Sequence, residues 1–482
     1  MTDPTPGTAL PDELSLGRIF RRFYQILTLI FCLFLVVRTT FVEPHGVPTG
    51  SMAPAIFGDR RQCQCPRCDY PIVVGAPQPG QSNSQTAAYC PNCGLSRINA
   101  VPLSDEIFGD RILVDRLIFR LRPPRRWEIA VFQPPDDSKI PYVKRVVGLP
   151  GEAMRIHDGD AYADGELLRK SLDAIREMKV PIFDMDHPPK PMGWACRWDP
   201  GSKPIHPVEE TVVENRLILD ASATVDAVLG LSYRHRNVDS GLDELIRDDL
   251  AYNGSRGVPK AVHDFLVECE VEVLGGTGGF SLRLGDSSES VRLALAIGPE
   301  DAAPSVSMLS HDGNSAKVNY PTLRLNPGRR YRVEFAFVDR RAFAVIDGLE
   351  IGAPLEVFVP KLVGGKLPAD RPGTDRPLKL EARGVSLVVH RLKLFRDVQY
   401  RSEGENGIAA PWQLGPNDYF LLGDNSASSE DSRYWKKAGV PEGDFIGKPF
   451  LVHQPLRIGR LVLNGNEHRF QTIDWDRFRF LR

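Results

Sequence analysis

One short apolar run constrains this chain more than any other feature. Phe23 to Val37 reads FYQILTLIFCLFLVV, interrupted only by Gln25 and Thr28. With Arg38 to Val42 it reaches about the 20 residues that a membrane-spanning helix needs. No second such run follows. The expectation is therefore one anchor, residues 19–42, with the bulk of a 482-residue chain on one side of it. Arg18, Arg21 and Arg22 precede the run. Positive charge stays cytoplasmic, which puts the N-terminus inside and the rest on the outer, periplasmic face of the inner membrane. Arg38 weakens that bias, although its side chain can snorkel to the interface. A cleaved secretory signal is the alternative, and it needs small residues at −3 and −1. The sequence Arg38-Thr-Thr-Phe-Val-Glu-Pro44 offers no such site. Residues 1–18 read as a cytoplasmic tail.

Composition bounds the remainder. Hydrophobic residues at 42% and charged residues at 25% are those of a globular protein, which excludes a polytopic membrane protein, a coiled coil and a disordered chain. A net charge of −2 gives no basic field for nucleic acid. High Gly (42) and Pro (40) favour a turn-rich, mainly β chain.

Four segments carry candidate chemistry. Pro48-Thr-Gly-Ser-Met-Ala-Pro54 follows the anchor. Gly109-Asp-Arg-Ile-Leu-Val-Asp-Arg116 reads as a turn entering an alternating strand. Tyr142-Val-Lys-Arg-Val-Val-Gly-Leu-Pro-Gly-Glu152 is a β-rich run with one lysine among valines. Gly423-Asp-Asn-Ser-Ala-Ser-Ser-Glu-Asp-Ser-Arg433 is a polar loop after the strand Tyr419-Phe-Leu-Leu422. Each alone is a turn or an exposed strand. In this order, behind an anchor, they resemble the type I signal peptidases, membrane-bound serine proteases, over residues 20–62, 101–156 and 411–456.

The resemblance implies roles residue by residue. Ser51 matches the nucleophile and Lys144 the general base, a dyad without histidine. The Thr49 hydroxyl and the Ser51 amide match the oxyanion donors, and Ser429 the serine that orients the lysine. Asp424, Asp431 and Arg433 match support of the active-site loop. The chemistry is coherent, because a lysine at its reference pKa of about 10.4 cannot accept a proton at neutral pH. Burial against Val143, Val146 and Val147 would lower it. Arg145 belongs to the opposite face of the strand. The implied substrates are signal-peptide-bearing precursor proteins cut after small-x-small sites, beside the lipid bilayer. Main-chain pairing with an exposed strand would bind them. Three positions depart from the family's pattern: Ala55, Trp127-Glu128 where Gly-Asp is usual, and Lys436. They touch pocket shape and loop geometry rather than reaction type.

Cys63-Gln-Cys-Pro-Arg-Cys68 and Cys90-Pro-Asn-Cys93 form a zinc-ribbon pattern, two Cys-Pro-x-Cys turns with 21 residues between them. Cys65, Cys68, Cys90 and Cys93 are the expected ligands of a closed structural zinc site, with Cys63 spare or replacing Cys65. Two disulfides are the alternative if the segment faces an oxidising compartment. No cofactor is expected for catalysis.

Residues 157–400 lie outside the resemblance. To about residue 205 the chain is Pro- and Trp-rich and reads as an extended connector. From 206, Val267, Cys269, Val271 and Val273 alternate with glutamates, and 291–297 and 331–337 repeat the period. Such runs predict antiparallel strands and a sandwich. Tyr331-Arg-Val-Glu-Phe335 through Ala344-Val-Ile-Asp-Gly348 resembles concanavalin-like and laminin-G jelly rolls, which implies a glycan or protein ligand, or a spacer. No paired carboxylates at glycosidase spacing accompany it.

The expected organisation is thus a tail 1–18, an anchor 19–42, catalytic segments 43–62, 101–156 and 401–482, a zinc ribbon 63–100, a connector 157–205 and an inserted β-sandwich 206–400. Two rival readings accompany it. One is a non-catalytic membrane-anchored binding protein on a degenerate protease scaffold. The other is a Ser-Lys protease acting on its own chain.

Overall fold

The computed structural model describes residues 16–76, 88–96, 98, 106–135, 140–201, 207–223, 228–248, 258–298, 305–310, 316–319, 324–359, 361–362, 367–463 and 466–481. Most of the expected tail, residues 1–15, lies outside the described residues. The expected architecture, mainly β with few helices, is what forms.

An N-terminal helix spans Leu16–Thr40. Its apolar side chains point outward all round, from Phe23 and Ile26 to Leu33 and Phe34. Among the described residues, no helix is long and apolar enough to cross a membrane. The helix runs straight into the strand Val42–Gly46, which forms one edge of an eight-stranded sheet. From that edge the order continues through Arg111–Asp115, Phe445–Gln454, Ile129–Phe132, Tyr142–Gly148, Asp418–Leu422 and Gly439–Pro441. Arg479–Phe480 pairs onto Phe445–Gln454. Segments far apart in sequence thus become neighbours, with Leu451 opposite Leu113 and Leu422 opposite Arg145. Val47, Met52, Ile56, Ile112, Val131 and Val452 close one apolar face of this sheet.

A second system of fourteen strands is built on two long ones, Phe265–Gly285 and Leu378–Arg396, paired antiparallel along most of their length. The first half of Phe265–Gly285 also pairs with Arg330–Val338, and the second half with Glu289–Ile297. The register breaks at Val273/Gly275 and Gly276/Gly279. Bulges of this kind let one strand serve two layers. Gly276 has φ +95°, and a Cβ there would sit 2.5 Å from the Gly384 carbonyl oxygen, so the corner demands glycine. The predicted alternation holds in detail. Val267, Cys269, Val271 and Val273 are buried, while Glu268, Glu270 and Glu272 are not.

The Pro- and Trp-rich stretch is not an extended connector. Asp160–Ala163 and Glu166–Leu167 join a four-stranded sheet with Ala153–His157 and Trp412–Gln413. Ser171 caps a helix, Leu172–Met178, by accepting a hydrogen bond from the Ala174 amide. Val180–Asp184 pairs with Leu378–Arg396, and Phe183 packs against Trp194 and Trp198 at 4.7 and 6.3 Å between ring centroids. Proline marked irregular backbone there. The tryptophans supplied the apolar area that draws the segment into the core.

Candidate active site

Ser51 sits in a single 3-10 turn, Gly50–Met52, directly after the edge strand Val42–Gly46. Two glycines make room for it. A Cβ on Gly58 would lie 2.3 Å from the Thr49 carbonyl carbon, and one on Gly423 would lie 2.6 Å from the Ser51 carbonyl oxygen. Asp110 holds the exit of the turn, accepting from the Phe57 amide at 2.9 Å while Arg60 and Arg477 donate to its two oxygens.

Lys144 is the third residue of Tyr142–Gly148, opposite Ala130 of the neighbouring strand. Its Nζ donates to Ser51 Oγ at 2.6 Å. The side chain is 4% exposed and Ser51 8%, so the pair is nearly closed to water. Burial pushes the Lys144 amine down to about 8; Asp431 and Asp424 pull it back up, and Arg433 opposes them. Thr49 Oγ1 lies 3.5 Å from Ser51 Oγ, on the same side of the turn.

Arg145 points the other way, as expected of the next strand residue. It is fully buried, donating from Nε and Nη2 to the two carboxylate oxygens of Asp424 at 2.8 and 2.6 Å. Asp431 and Arg433 form a second bidentate pair at 2.8 Å on both arms. Burial opposes ionisation of Asp431, and the Arg433 guanidinium outweighs it, holding the carboxyl below its usual range. Asp431 also accepts from the Gly423 amide at 3.1 Å. Ser429 is buried with its Oγ beside Gly423. That hydroxyl has no hydrogen-bond partner among the described residues, so no bond to Lys144 joins it to the pair.

Sequence reasoning missed one residue with direct grip on the Ser51 turn. The Asn425 amide donates to the Ser51 carbonyl oxygen at 2.9 Å, and its Nδ2 donates to the Gly50 carbonyl oxygen at 3.1 Å. Asn425 therefore fastens the loop of the fourth motif onto the serine turn. Its place beside Asp424 in that motif was the available signal.

Cys65, Cys68, Cys90 and Cys93 converge, all four buried, with their sulfurs within 4.8 Å of one another. Cys65 to Cys93 and Cys68 to Cys90 are each 3.6 Å. That is close to the edge of about 3.8 Å expected for a tetrahedron with metal–sulfur bonds of about 2.3 Å. The two turns repeat one backbone pattern. The Cys65 amide donates to Tyr70 O and Asp69 N to Cys65 O; likewise Cys90 donates to Leu95 O and Gly94 N to Cys90 O. Asp69 and Gly94 both take positive φ. The four cysteines can hold a metal ion, whereas Cys63 stands outside the group on the strand Arg60–Gln64.

The comparisons with known proteins agree with the motifs. The family model described as signal peptidase, peptidase S26, matches residues 103–195 and 379–453. The signal peptidase I of Rickettsia typhi is 28% identical over 160 residues, 33% of this chain and 49% of that protein. The signal peptidase I of Rickettsia akari is 30% identical over 142 residues, 30% of this chain and 42% of that protein. This chain thus resembles the type I signal peptidases, and it spans about half the length of the curated relatives it matches. Among solved structures, a carbohydrate-binding module from Bacillus subtilis covers 35% of this chain and 82% of its own at 11% identity and a TM-score of 0.21, too distant to carry an argument.

Proposed function

We propose that the protein is a membrane-anchored serine endopeptidase that removes signal peptides from exported precursors by a Ser-Lys dyad. One observation carries this reading: a buried lysine amine with its pKa brought to about 8, 2.6 Å from a buried serine hydroxyl. Ser51 Oγ attacks the scissile carbonyl carbon and its proton passes to Lys144 Nζ. The tetrahedral oxyanion takes hydrogen bonds from the Ser51 amide and the Thr49 hydroxyl. Collapse breaks the C–N bond, and Lys144 returns the proton to the leaving amine. A water then gives its proton to Lys144 and attacks the acyl-serine; the ester C–O bond breaks, Lys144 returns the proton to Ser51 Oγ, and the signal peptide leaves. Arg145–Asp424 and Arg433–Asp431 support the strand and loop that face each other across the dyad. Ser429 is the remaining candidate to orient the lysine.

Location follows from the first forty residues. The proposed anchor is the apolar run Phe23 to Val37 within the helix Leu16–Thr40, a reading that rests on the sequence. Its outward apolar surface suits lipid, and Arg21 and Arg22 suit the cytoplasmic side. The serine turn is eleven residues beyond the helix end at Thr40, which keeps the site near the outer membrane face. Zinc is the proposed occupant of the four cysteines, as a structural ion. The fourteen-stranded system is the proposed inserted sandwich, with a glycan or protein as its candidate ligand.

Cleavage of a signal-peptide-bearing precursor by detergent-solubilised protein tests the reaction. Wild type should cut after a small-x-small site, and Ser51→Ala and Lys144→Ala should not. Folded wild type that leaves several precursors intact would refute the reading and favour a binding role on the same scaffold.

A further inference from the structure

Residues 196–378 fall between the two stretches that match the signal peptidase family. A separate module hung on an enzyme meets it through an exposed, largely polar contact. Here the meeting is buried and charged, and it leads to the catalytic loop.

The first junction starts at Asp248, which is 4% exposed. Its carboxylate takes Arg401 Nε at 2.5 Å and Nη2 at 2.9 Å, and the Lys260 amide at 2.8 Å. Arg401 belongs to the matched part and is itself 1% exposed. Its carbonyl oxygen accepts from Arg433 Nη1 at 3.0 Å, and its amide donates to Ser426 Oγ at 2.8 Å. Arg433 also donates to Ser426 Oγ and to the Ser426 carbonyl oxygen at 2.8 and 3.0 Å. Ser426 follows Asn425, the residue that grips the Ser51 turn. Three hydrogen-bonded steps therefore separate an aspartate of the unmatched segment from the nucleophile.

The second junction ends on the strand of the lysine. Asp339, also in the unmatched segment, binds Lys170 Nζ at 2.8 Å and accepts from the Lys170 amide at 2.8 Å. Asp397 takes the same ammonium at 2.8 Å. Lys170 Nζ lies 4.9 Å from the centre of the Trp127 ring. Trp127 in turn accepts from Arg145 Nη1 at 2.6 Å, and Arg145 holds Asp424. Trp127 has φ +70°, a left-handed conformation that favours glycine, and it stands where the resemblance leads one to expect glycine. The strained residue is the one that receives the ammonium anchored by Asp339.

We propose that residues 196–378 are a working part of the catalytic scaffold, with Asp248 a positioning residue that holds the loop 423–433 against the Ser51 turn. The reaction it is scored by rests on the signal peptidase reading. Bidentate buried pairs transmit position because neither partner can rotate without losing a charge-assisted bond. Asp248→Asn replaces one acceptor with a donor facing Arg401 Nε, and leaves the guanidinium buried beside a neutral group.

The test uses the full chain in detergent and two readouts. In Asp248→Asn, kcat on a precursor should fall roughly tenfold with KM within about twofold, since the lost term is alignment rather than binding. Hydrogen exchange should speed up in amides of residues 423–433 and stay unchanged in Leu456–Leu463 and Asn466–Ile473, two strands that pair with each other. Arg401→Lys keeps a charge beside Asp248 but removes the two-point grip, and should give the same signature; it carries the test if Asp248→Asn does not fold. A folded variant with wild-type kcat and wild-type exchange at 423–433 would overturn the proposal. So would a lowered melting temperature with unchanged kcat per folded molecule. If wild type cleaves no precursor, the proposed reaction fails, while the exchange comparison, which needs no substrate, still decides the coupling.

Discussion

Buried charge surrounds Ser51 and Lys144, whereas apolar packing fills the core of the fourteen-stranded system. Around the dyad, Arg60, Arg145 and Arg433 are all buried and each is matched to a buried aspartate. In the fourteen-stranded system, Val267, Val271, Phe280, Leu380 and Leu387 fill one apolar core. Apolar packing is tolerant: side chains of similar size exchange at modest cost. A buried ion pair adds little net stability, because desolvation offsets most of the Coulombic gain, but breaking one side is expensive. The pairs around Ser51 and Lys144 therefore fix a geometry at little net gain in stability, and the apolar core of the larger system supplies stability.

The sharpest test of that contrast is the dyad itself. Lys144→Ala and Ser51→Ala should each reduce cleavage by on the order of 10⁴-fold or more. Thermal unfolding, followed by circular dichroism, should change little, since an uncharged or smaller group replaces one that burial disfavours. Next comes Gly423→Ala. The new Cβ would lie 2.2 Å from Ser429 Oγ and 2.6 Å from the Ser51 carbonyl oxygen, so the loop must move. Steady-state kinetics should show kcat down by roughly 10²-fold, as a displacement of about 1 Å at a nucleophile costs. Leu380→Ala inverts the pattern. It should cost about 2–5 kcal/mol in denaturant unfolding and leave kcat per folded molecule unchanged.

Two smaller effects sharpen the comparison. Below about pH 8, Lys144 is protonated and cannot take the serine proton, so kcat/KM should fall about tenfold per pH unit as pH drops and level off above it. A profile flat from pH 6 to 9 would argue against a lysine base. Chelation of purified protein should lower the melting temperature and release one zinc per chain, measured by emission spectrometry, if the four cysteines hold the ion. An unchanged melt with no metal released would point to disulfides instead.

How far the site was legible depends on the kind of constraint. Ser51, Lys144, Asp431 and Arg433 stand out in the sequence because each sits in a short motif whose residue types match a chemical need. Ser429 could be read too, yet its hydroxyl lies against Gly423 without a bond to the lysine. Asn425 has no role legible in the sequence, because its two bonds reach Gly50 and Ser51, more than 370 residues away. The stretch 157–205 reads as a connector because proline dominates local pattern, while the burial of Trp194 and Trp198 depends on strands that come later in the chain.

Local chemistry, then, was determined by sequence alone: the apolar run, the period-two strands, the paired Cys-Pro-x-Cys turns and the order of the four motifs. Each motif and strand among these is set by residues close together in the chain, where backbone periodicity rules. Only the tertiary structure decided which buried charge meets which, that Arg145 would take Asp424, and that Asp248 would reach Arg401. Those pairings join residues far apart in the chain. Coulombic attraction in a water-poor interior selects partners by distance in space, and no spacing rule encodes that.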